Sequence, residues 1–175
     1  MVLDIGTAWF MPGITDDYAN IISACAGICL MHHGHAELVD LKLDGDRQET
    51  VAMKWREATA KELVCHGTAN DSDVIRYGAE CVAVRVAAHM LGLEVIRKAS
   101  KGTGFDFWIG DPLVKHFGFE GLLRLEVSGI LEDNEGEYRR RLREKLAQMA
   151  PTDPIPGYAA IVMFGTPRVN VTAKV

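Results

Sequence analysis

The chain has 175 residues, of which 48% are hydrophobic, so it is long enough to bury one substantial core, and we expect a single domain over residues 1–175. Its 19 basic and 24 acidic residues leave a net charge of −5, which excludes a general electrostatic attraction to nucleic acid or to anionic membranes. Any contact with nucleic acid must therefore use a local basic patch.

The N-terminal residues and the cysteines indicate a cytoplasmic protein. The first twenty residues lack a cationic segment followed by an apolar run, so no signal peptide is predicted. The longest apolar stretch, residues 19–31, contains polar residues and is too short to span a bilayer. We therefore expect reduced thiols, no disulfide framework and no membrane contact.

Residues 1–65 are predicted to form an N-terminal helix followed by a β-hairpin, with residues 1–14 irregular. Thr15 is a suitable N-cap, two aspartates follow it at the positive end of the helix dipole, and Gly34 ends the run of helically spaced apolar residues. This pattern predicts the first helix.

The hairpin is predicted from two strand-like stretches, residues 37–43 and 49–55, on either side of an Asp-Gly-Asp turn signal. Residues 65–73 are polar and are predicted to form a loop, where Cys65 and His66 are adjacent. Adjacent residues seldom have the geometry of a nucleophile and its base, so we favour an ordinary loop over a catalytic pair.

From residue 72 to residue 165 the pattern predicts the order helix, three strands, helix, strand. Such an alternation is typical of the α/β class, with a mixed central sheet flanked by helices. The predicted elements are a helix starting at 71–73 and ending before Gly92, strands at 93–99, 105–109 and 122–130, a helix at 135–149 stopped by Pro151 and Pro154, and a strand at 158–164.

Acidic residues interrupt two of these apolar strands. Because side chains alternate along a strand, Asp106 shares a face with Trp108, and Glu126 shares a face with Arg124 and Ser128. If the two strands are paired neighbours, Asp106 and Glu126 project from the same side of the sheet. The simpler alternative is a turn-capping aspartate and a solvated glutamate.

Glu80, on the border of the preceding helix's apolar stripe, is predicted to lean over the same point. Converging carboxylates favour a hard divalent cation, Mg²⁺ or Mn²⁺, which lowers the pKa of a bound water and stabilises charge on a phosphoryl oxygen. Gly102 and Gly104 allow the backbone to approach a phosphate, and Trp108 offers a surface on which a base can stack.

These residues resemble the motif of the PD-(D/E)XK nuclease-like superfamily, whose core has the order helix, three strands, helix, strand. The matches are Glu80, Asp106 in G-T-G-F-D, and Glu126 in E-V-S, and the resemblance covers residues 72–165. It implies a restriction-endonuclease-like core and metal-dependent phosphodiester hydrolysis of nucleic acid. Asp106 and Glu126 would be the metal ligands, and Glu80 would bind a second metal or position water.

The chain departs from the motif at Ser128, which stands where the superfamily has a lysine. A hydroxyl cannot supply the missing positive charge. Lys101 is our catalytic candidate for it, with Lys98 or Arg124 as alternatives; Arg124 and Ser128 are also candidates for substrate binding. The competing hypothesis is a catalytically inactive relative that acts as an interaction or assembly subunit, with a protein partner or as a homo-oligomer.

Two further patterns have a functional and an ordinary interpretation. Cys25, Cys29 and His33 recur at four-residue intervals and could ligate zinc, but we favour buried cysteines that pack as small hydrophobic residues. The basic run at residues 139–145 could contact backbone phosphates, but we favour a solvated helix with Glu–Arg pairs four residues apart.

Overall fold

The computed structural model describes residues 2–7, 9–114, 118–149 and 155–174; Pro151 and Pro154 lie outside these ranges. The described residues form one eight-stranded mixed sheet and four helices, which confirms the predicted α/β class. In chain order the elements are β1 (Val2–Asp4), α1 (Asp16–His32), β2 (Leu38–Gly45), β3 (Glu49–Lys54), α2 (Ala60–His66), α3 (Ser72–Leu91), β4 (Glu94–Lys98), β5 (Phe107–Gly110), β6 (Leu123–Ile130), α4 (Glu135–Gln148), β7 (Gly157–Met163) and β8 (Arg168–Lys174).

The strand order in the sheet is β1-β3-β2-β8-β7-β6-β5-β4. The hairpin β2–β3 is antiparallel, as are the neighbours β4–β5 and β5–β6, whereas β6 and β7 run parallel and are connected through α4. Strand β8 lies between β2 and β7, parallel to the first and antiparallel to the second. It joins the hairpin to the remaining strands in one sheet.

The local signals at the helix ends are present where the sequence predicts them. The Thr15 side chain accepts a hydrogen bond from the Tyr18 N–H at the start of α1. Asp71 caps α3, and Gly92 ends it in the left-handed conformation. Among the described residues between 72 and 165, the element order is the predicted one.

Three elements were not predicted. Residues 2–4 are a strand, β1, inside a segment predicted to be irregular, and β8 was not predicted at all. Cys65 and His66 belong to helix α2 rather than to a loop. The missed signal was a capping box: the Thr59 side chain accepts the Glu62 N–H, and the Glu62 carboxylate accepts the Thr59 N–H.

The helices pack on both faces of the sheet. A Cβ placed on Gly129 of β6 would meet Ile75 and Ala79 of α3, whereas the side chain of the preceding residue, Ser128, contacts Arg141 of α4. Because successive strand residues point to opposite faces, α3 and α4 lie on opposite sides of β6. Helix α1 packs along α3.

The core between these layers contains the apolar residues of the central strands and the inner faces of α1 and α3. Cys25 and Cys29 are buried free thiols in this core, and the Cys29 thiol lies 3.9 Å from the Val74 carbonyl oxygen. Both cysteines pack as small hydrophobic residues, and their burial raises the pKa of Cys25 to about 11 and raises that of Cys29 as well. Of the helices in the described ranges, none combines the length and apolar composition that crossing a bilayer requires.

Candidate active site

The register of β5 and β6 places Asp106 opposite Glu126. Phe107 pairs with Leu125, and the Asp106 N–H donates to the Leu125 carbonyl oxygen at 3.0 Å, so the pairing extends one residue beyond β5. Both carboxylates line an open cleft with a volume of about 500 Å³. The structure therefore brings together the two residues that strand alternation placed on one side of the sheet.

Asp106 also satisfies a backbone donor of β6 on the side that faces β5. Its Oδ2 atom accepts a hydrogen bond of 2.8 Å from the Val127 N–H, where the ladder with β5 has ended while β7 still pairs with the other side of β6. This contact occupies one of the two carboxylate oxygens and holds the side chain against Glu126. The capping role and a site role are therefore compatible.

Glu126 is only 4% exposed and forms a salt bridge through Oε1 with the Lys145 ammonium group of α4. Burial, with the negative charge of Asp106 as a second cause, raises the pKa of Glu126 to about 7, although Lys145 acts in the opposite direction. At neutral pH the Glu126 carboxyl group is therefore ionised in only part of the molecules.

Lys145 was not among the sequence candidates for the missing lysine. It lies one helical turn after Arg141, whose Nη1 donates to the Ser128 hydroxyl at 3.0 Å and to the Gly129 carbonyl oxygen at 2.8 Å. Arg141 and Lys145 of α4 thus place two positive charges beside Glu126 and Ser128, where the strand itself has no lysine. The only sequence signal was the spacing of Arg141 and Lys145 on one helix face.

Glu80 is fully buried beneath one wall of the cleft. Its carboxylate accepts hydrogen bonds from the Tyr18 hydroxyl and from Arg76 at 3.1 Å, and the Lys98 ammonium group is 3.5 Å away. Burial raises its pKa, while the Tyr18 hydrogen bond and Lys98 oppose this shift. Because Arg76 and Lys98 themselves line the cleft, Glu80 positions two of its cations.

The glycine turn forms the rim of the cleft. Lys101, Gly102 and Gly104 all line it, and the two glycines have φ values of 91° and 79°, which side-chain-bearing residues rarely adopt. Lys101 makes no ion pair with any described residue. Its charge is therefore available to a ligand in the cleft.

Trp108 and Arg124 are not among the described residues that line the cleft. The Trp108 ring packs against Phe105 and Phe119, with centroid distances of 4.7 Å in both cases. Arg124 is buried and donates to the Ile155 carbonyl oxygen. These two predicted substrate-binding residues therefore lie outside the lining of the cleft that contains Asp106 and Glu126. Ser128 lines a neighbouring pocket of about 280 Å³ with Arg141 and Lys145.

Most of the basic run on α4 is paired along the helix. Arg139 contacts Glu135 at 3.0 Å, and Arg140 contacts Glu144 at 2.6 Å. The predicted pair between Glu137 and Arg141 also forms, at 2.6 Å. Of this run, Arg141 and Lys145 are the residues that contact β6.

Comparison of the chain with known protein families, curated proteins and solved structures finds no match. The resemblance to the PD-(D/E)XK superfamily therefore depends on the motif residues and on the order of the elements.

Proposed function

We propose that the chain hydrolyses phosphodiester bonds of nucleic acid, using Mg²⁺ or Mn²⁺ held by Asp106 and Glu126. The observation that carries this proposal is the side-by-side placement of the two carboxylates in an open cleft, where the pKa of Glu126 rises to about 7. A divalent cation between them would favour the ionised form of both groups.

The donor set fits a hard cation. Carboxylate oxygens are the ligands that Mg²⁺ and Mn²⁺ prefer, and an open cleft leaves room for water and a phosphate oxygen. When bound, such an ion stabilises charge on the phosphoryl group and lowers the pKa of a coordinated water. Arg76, Lys98 and Lys101 line the cleft and would bind the backbone phosphates on either side of the scissile bond.

In this proposal Lys145 replaces the lysine that the superfamily motif has at the position of Ser128. Its ammonium group contacts Glu126 directly, and lysine is a compact cation that a neighbouring helix can deliver as well as a strand. Lys145 would orient the attacking water beside the carboxylate pair and offset the negative charge that develops there. Ser128 and Arg141 would hold α4 in place over the strand.

The arrangement of the elements from residue 72 onward supports a nuclease-like core. Strands β4, β5 and β6 are antiparallel neighbours, and α4 connects β6 to the parallel strand β7. We assign the core to residues 72–165, with residues 1–65 as an added layer, and we place the protein in the cytoplasm.

The test is Mn²⁺ binding by calorimetry to the wild-type chain and to Asp106→Asn. We expect binding by the wild type and a loss of at least about tenfold in affinity in the variant, because one of two ligands is removed. Asp40→Asn, which changes an exposed carboxylate on β2, is the matched control and should bind like the wild type.

The same proteins are then incubated with labelled single- and double-stranded DNA and RNA in the presence of Mn²⁺. We expect cleavage by the wild type and by Asp40→Asn, and none by Asp106→Asn. Absence of both Mn²⁺ binding at millimolar concentration and cleavage would reject the nuclease proposal.

A second candidate is a catalytically inactive subunit that binds a protein partner or a second copy of itself. The observation that favours it is that each carboxylate already has partners within the chain. These are Lys145 for Glu126, the Val127 N–H for Asp106, and, for Glu80, two hydrogen-bond donors, Tyr18 and Arg76, with Lys98 as an ion-pair partner. These partners offset part of the cluster's negative charge without a metal. A discrete oligomer in sedimentation velocity, together with no effect of Mn²⁺, would favour this alternative.

A further inference from the structure

Two histidines and a glutamate meet at the C-terminal end of α1. His32 is the last residue of this helix, His33 is its C-cap, and Glu132 follows β6 after one residue. One potential ligand atom from each of the three residues lies within 4.8 Å of the others. The acidic cleft is far away, since Tyr18, which contacts Glu80, is about 20 Å from His32 along the helix.

The distance between His32 and Glu132 suits a shared metal ion. His32 Nε2 and Glu132 Oε1 are 3.4 Å apart, which is longer than an ordinary N–H···O hydrogen bond. Two ligands of a tetrahedral ion with bonds of about 2.0–2.1 Å are separated by about 3.4 Å. The pair therefore has the spacing that a tetrahedral ion requires.

The hydrogen bond of His33 prepares this ring for metal binding. Its Nε2 lies 2.8 Å from the Leu131 carbonyl oxygen, and because a carbonyl only accepts, Nε2 carries the hydrogen. The neutral ring then has its lone pair on Nδ1. Metal-binding histidines are commonly oriented by such a contact from the second ring nitrogen.

The surroundings favour a cation as well. The carbonyl groups at the end of α1 place partial negative charge beside the two histidines. His35 holds its own Nε2 against the Phe164 carbonyl oxygen at 2.8 Å, and its ring centroid is 5.9 Å from that of His33. The side chains of His32 and Glu132 are 36% and 66% exposed, so an ion between them is accessible from solvent.

We propose that His32, His33 and Glu132 form a binding site for a zinc-class transition-metal ion. Two imidazoles and one carboxylate suit Zn²⁺ or Co²⁺ better than Mg²⁺, and a water molecule completes a four-coordinate shell. The bound ion connects the end of α1 to the segment between β6 and α4. This site has different ligand chemistry from the Asp106–Glu126 pair and does not depend on the proposed nuclease activity.

The test uses Co²⁺ as the probe, because tetrahedral Co²⁺ absorbs visible light. The wild-type chain is titrated with Co²⁺ and then with Zn²⁺, which should displace it. We expect one equivalent of Co²⁺ with tetrahedral absorption, and a rise in unfolding temperature with Zn²⁺. His32→Ala and Glu132→Gln should each weaken binding at least about tenfold and remove the thermal shift.

Two controls separate this site from the alternatives. The first control is His89→Ala. His89 Nε2 lies 2.9 Å from Glu49 Oε1, but no second histidine contacts this pair among the described residues. The His89→Ala protein should therefore bind Co²⁺ like the wild type. Asp106→Asn should also leave the tetrahedral signal unchanged. No binding, binding unaffected by both ligand variants, or loss of the signal in Asp106→Asn would each overturn the proposal. Circular dichroism of Glu132→Gln, an exposed and nearly isosteric change, verifies folding.

Discussion

At the scale of single residues, two effects raise the pKa of Glu126 and one effect lowers it. Burial and the neighbouring charge of Asp106 favour its neutral form, whereas the salt bridge with Lys145 favours its ionised form. The result is a carboxyl group that titrates near neutral pH, which is uncommon for a glutamate and frequent at functional sites.

Replacing Lys145 with methionine should separate catalysis from metal binding. The change keeps the unbranched stem of the side chain but removes the charged Nζ beside Glu126, so we expect the rate of cleavage at saturating Mn²⁺ to fall by about 100-fold or more. Lys61→Met, an exposed substitution on α2, is the control and should leave the rate unchanged. A Lys145→Met protein that cleaves at the wild-type rate would assign the water-orienting role to another residue.

Mn²⁺ affinity should depend on pH in a window set by Glu126. Below about pH 7 the ion must displace a proton from this carboxyl group, so the affinity should rise about tenfold per pH unit up to pH 7 and then level off. Calorimetry between about pH 5.5 and pH 8.5 measures this slope, with Glu126→Gln expected to bind weakly at every pH. A constant wild-type affinity across this range would contradict the role of Glu126 as a ligand.

Strand alternation predicted which faces Asp106 and Glu126 occupy, and the pairing of β5 with β6, which the sequence left as a condition, sets the two residues opposite each other. Alternation was not sufficient for Trp108, which shares their side of the sheet but lies about 7 Å further along its strand, under Phe119. Lys145 could not be assigned either, since no local pattern specifies how α4 is rotated over β6.

At the scale of elements, α2 is a seven-residue helix held mainly at its first turn. Besides forming the capping box with Thr59, Glu62 makes two hydrogen bonds with the Arg56 guanidinium, at 2.6 and 2.9 Å. Such a short helix needs these contacts because its own hydrogen bonds do not offset the cost of nucleation.

Glu62→Gln should destabilise the protein by about 1 kcal/mol at pH 7. The Arg56 hydrogen bond lowers the pKa of Glu62 from 4.5 to about 2 in the folded state. The contribution is therefore complete above about pH 4.5 and is lost as the pH falls toward 2. Urea unfolding at several pH values should show the difference from wild type disappearing over this interval. Glu57→Gln, an exposed change nearby, should show no such difference.

The contact between α3 and β6 can be tested at Gly129. A Cβ there would lie 2.7 Å from the Ile75 carbonyl oxygen and 2.9 Å from the Ala79 Cβ, so α3 would have to move away from the strand. We expect Gly129→Ala to cost about 1–3 kcal/mol in unfolding free energy. Gly136→Ala, in the first turn of α4, should be neutral or stabilising, because alanine favours helix and the nearest atom is 3.4 Å away. Equal effects of the two substitutions would contradict the close packing.

The longer elements were predictable because each contains its own period and its own end signals, as at Thr15 and Gly92. The missed elements are short or depend on distant partners. β1 has three residues, and β8 is stabilised by pairing with strands from two other parts of the chain. Local propensity carries little information about such strands.

At the scale of the whole molecule, β8 makes the sheet continuous. Its buried residues Val169 and Val171 contribute to the same core as the hairpin and the central strands. The α/β class followed from the alternation of elements, but the strand order did not, because pairing across the sheet is decided by contacts between distant segments.

The continuous sheet predicts one unfolding transition. Trp55 follows β3 in the hairpin layer, and Trp108 lies in β5 near the opposite edge. Variants that retain only one of these tryptophans, with phenylalanine at the other positions, should give the same midpoint in urea by fluorescence and by circular dichroism. Two separate midpoints would indicate that the hairpin layer and the remaining strands unfold independently.

The position of β8 also sets an order of events during synthesis. Its neighbour β2 ends at Gly45, whereas β8 begins at Arg168, so the ribosome needs roughly 6–25 s to supply the missing strand at about 5–20 residues per second. During this interval β2 presents an unpaired edge, to which another nascent chain can add a strand. Slower translation of residues 46–167 should therefore promote aggregation more than slower translation of residues 1–45, since β2 is not yet complete during the earlier interval.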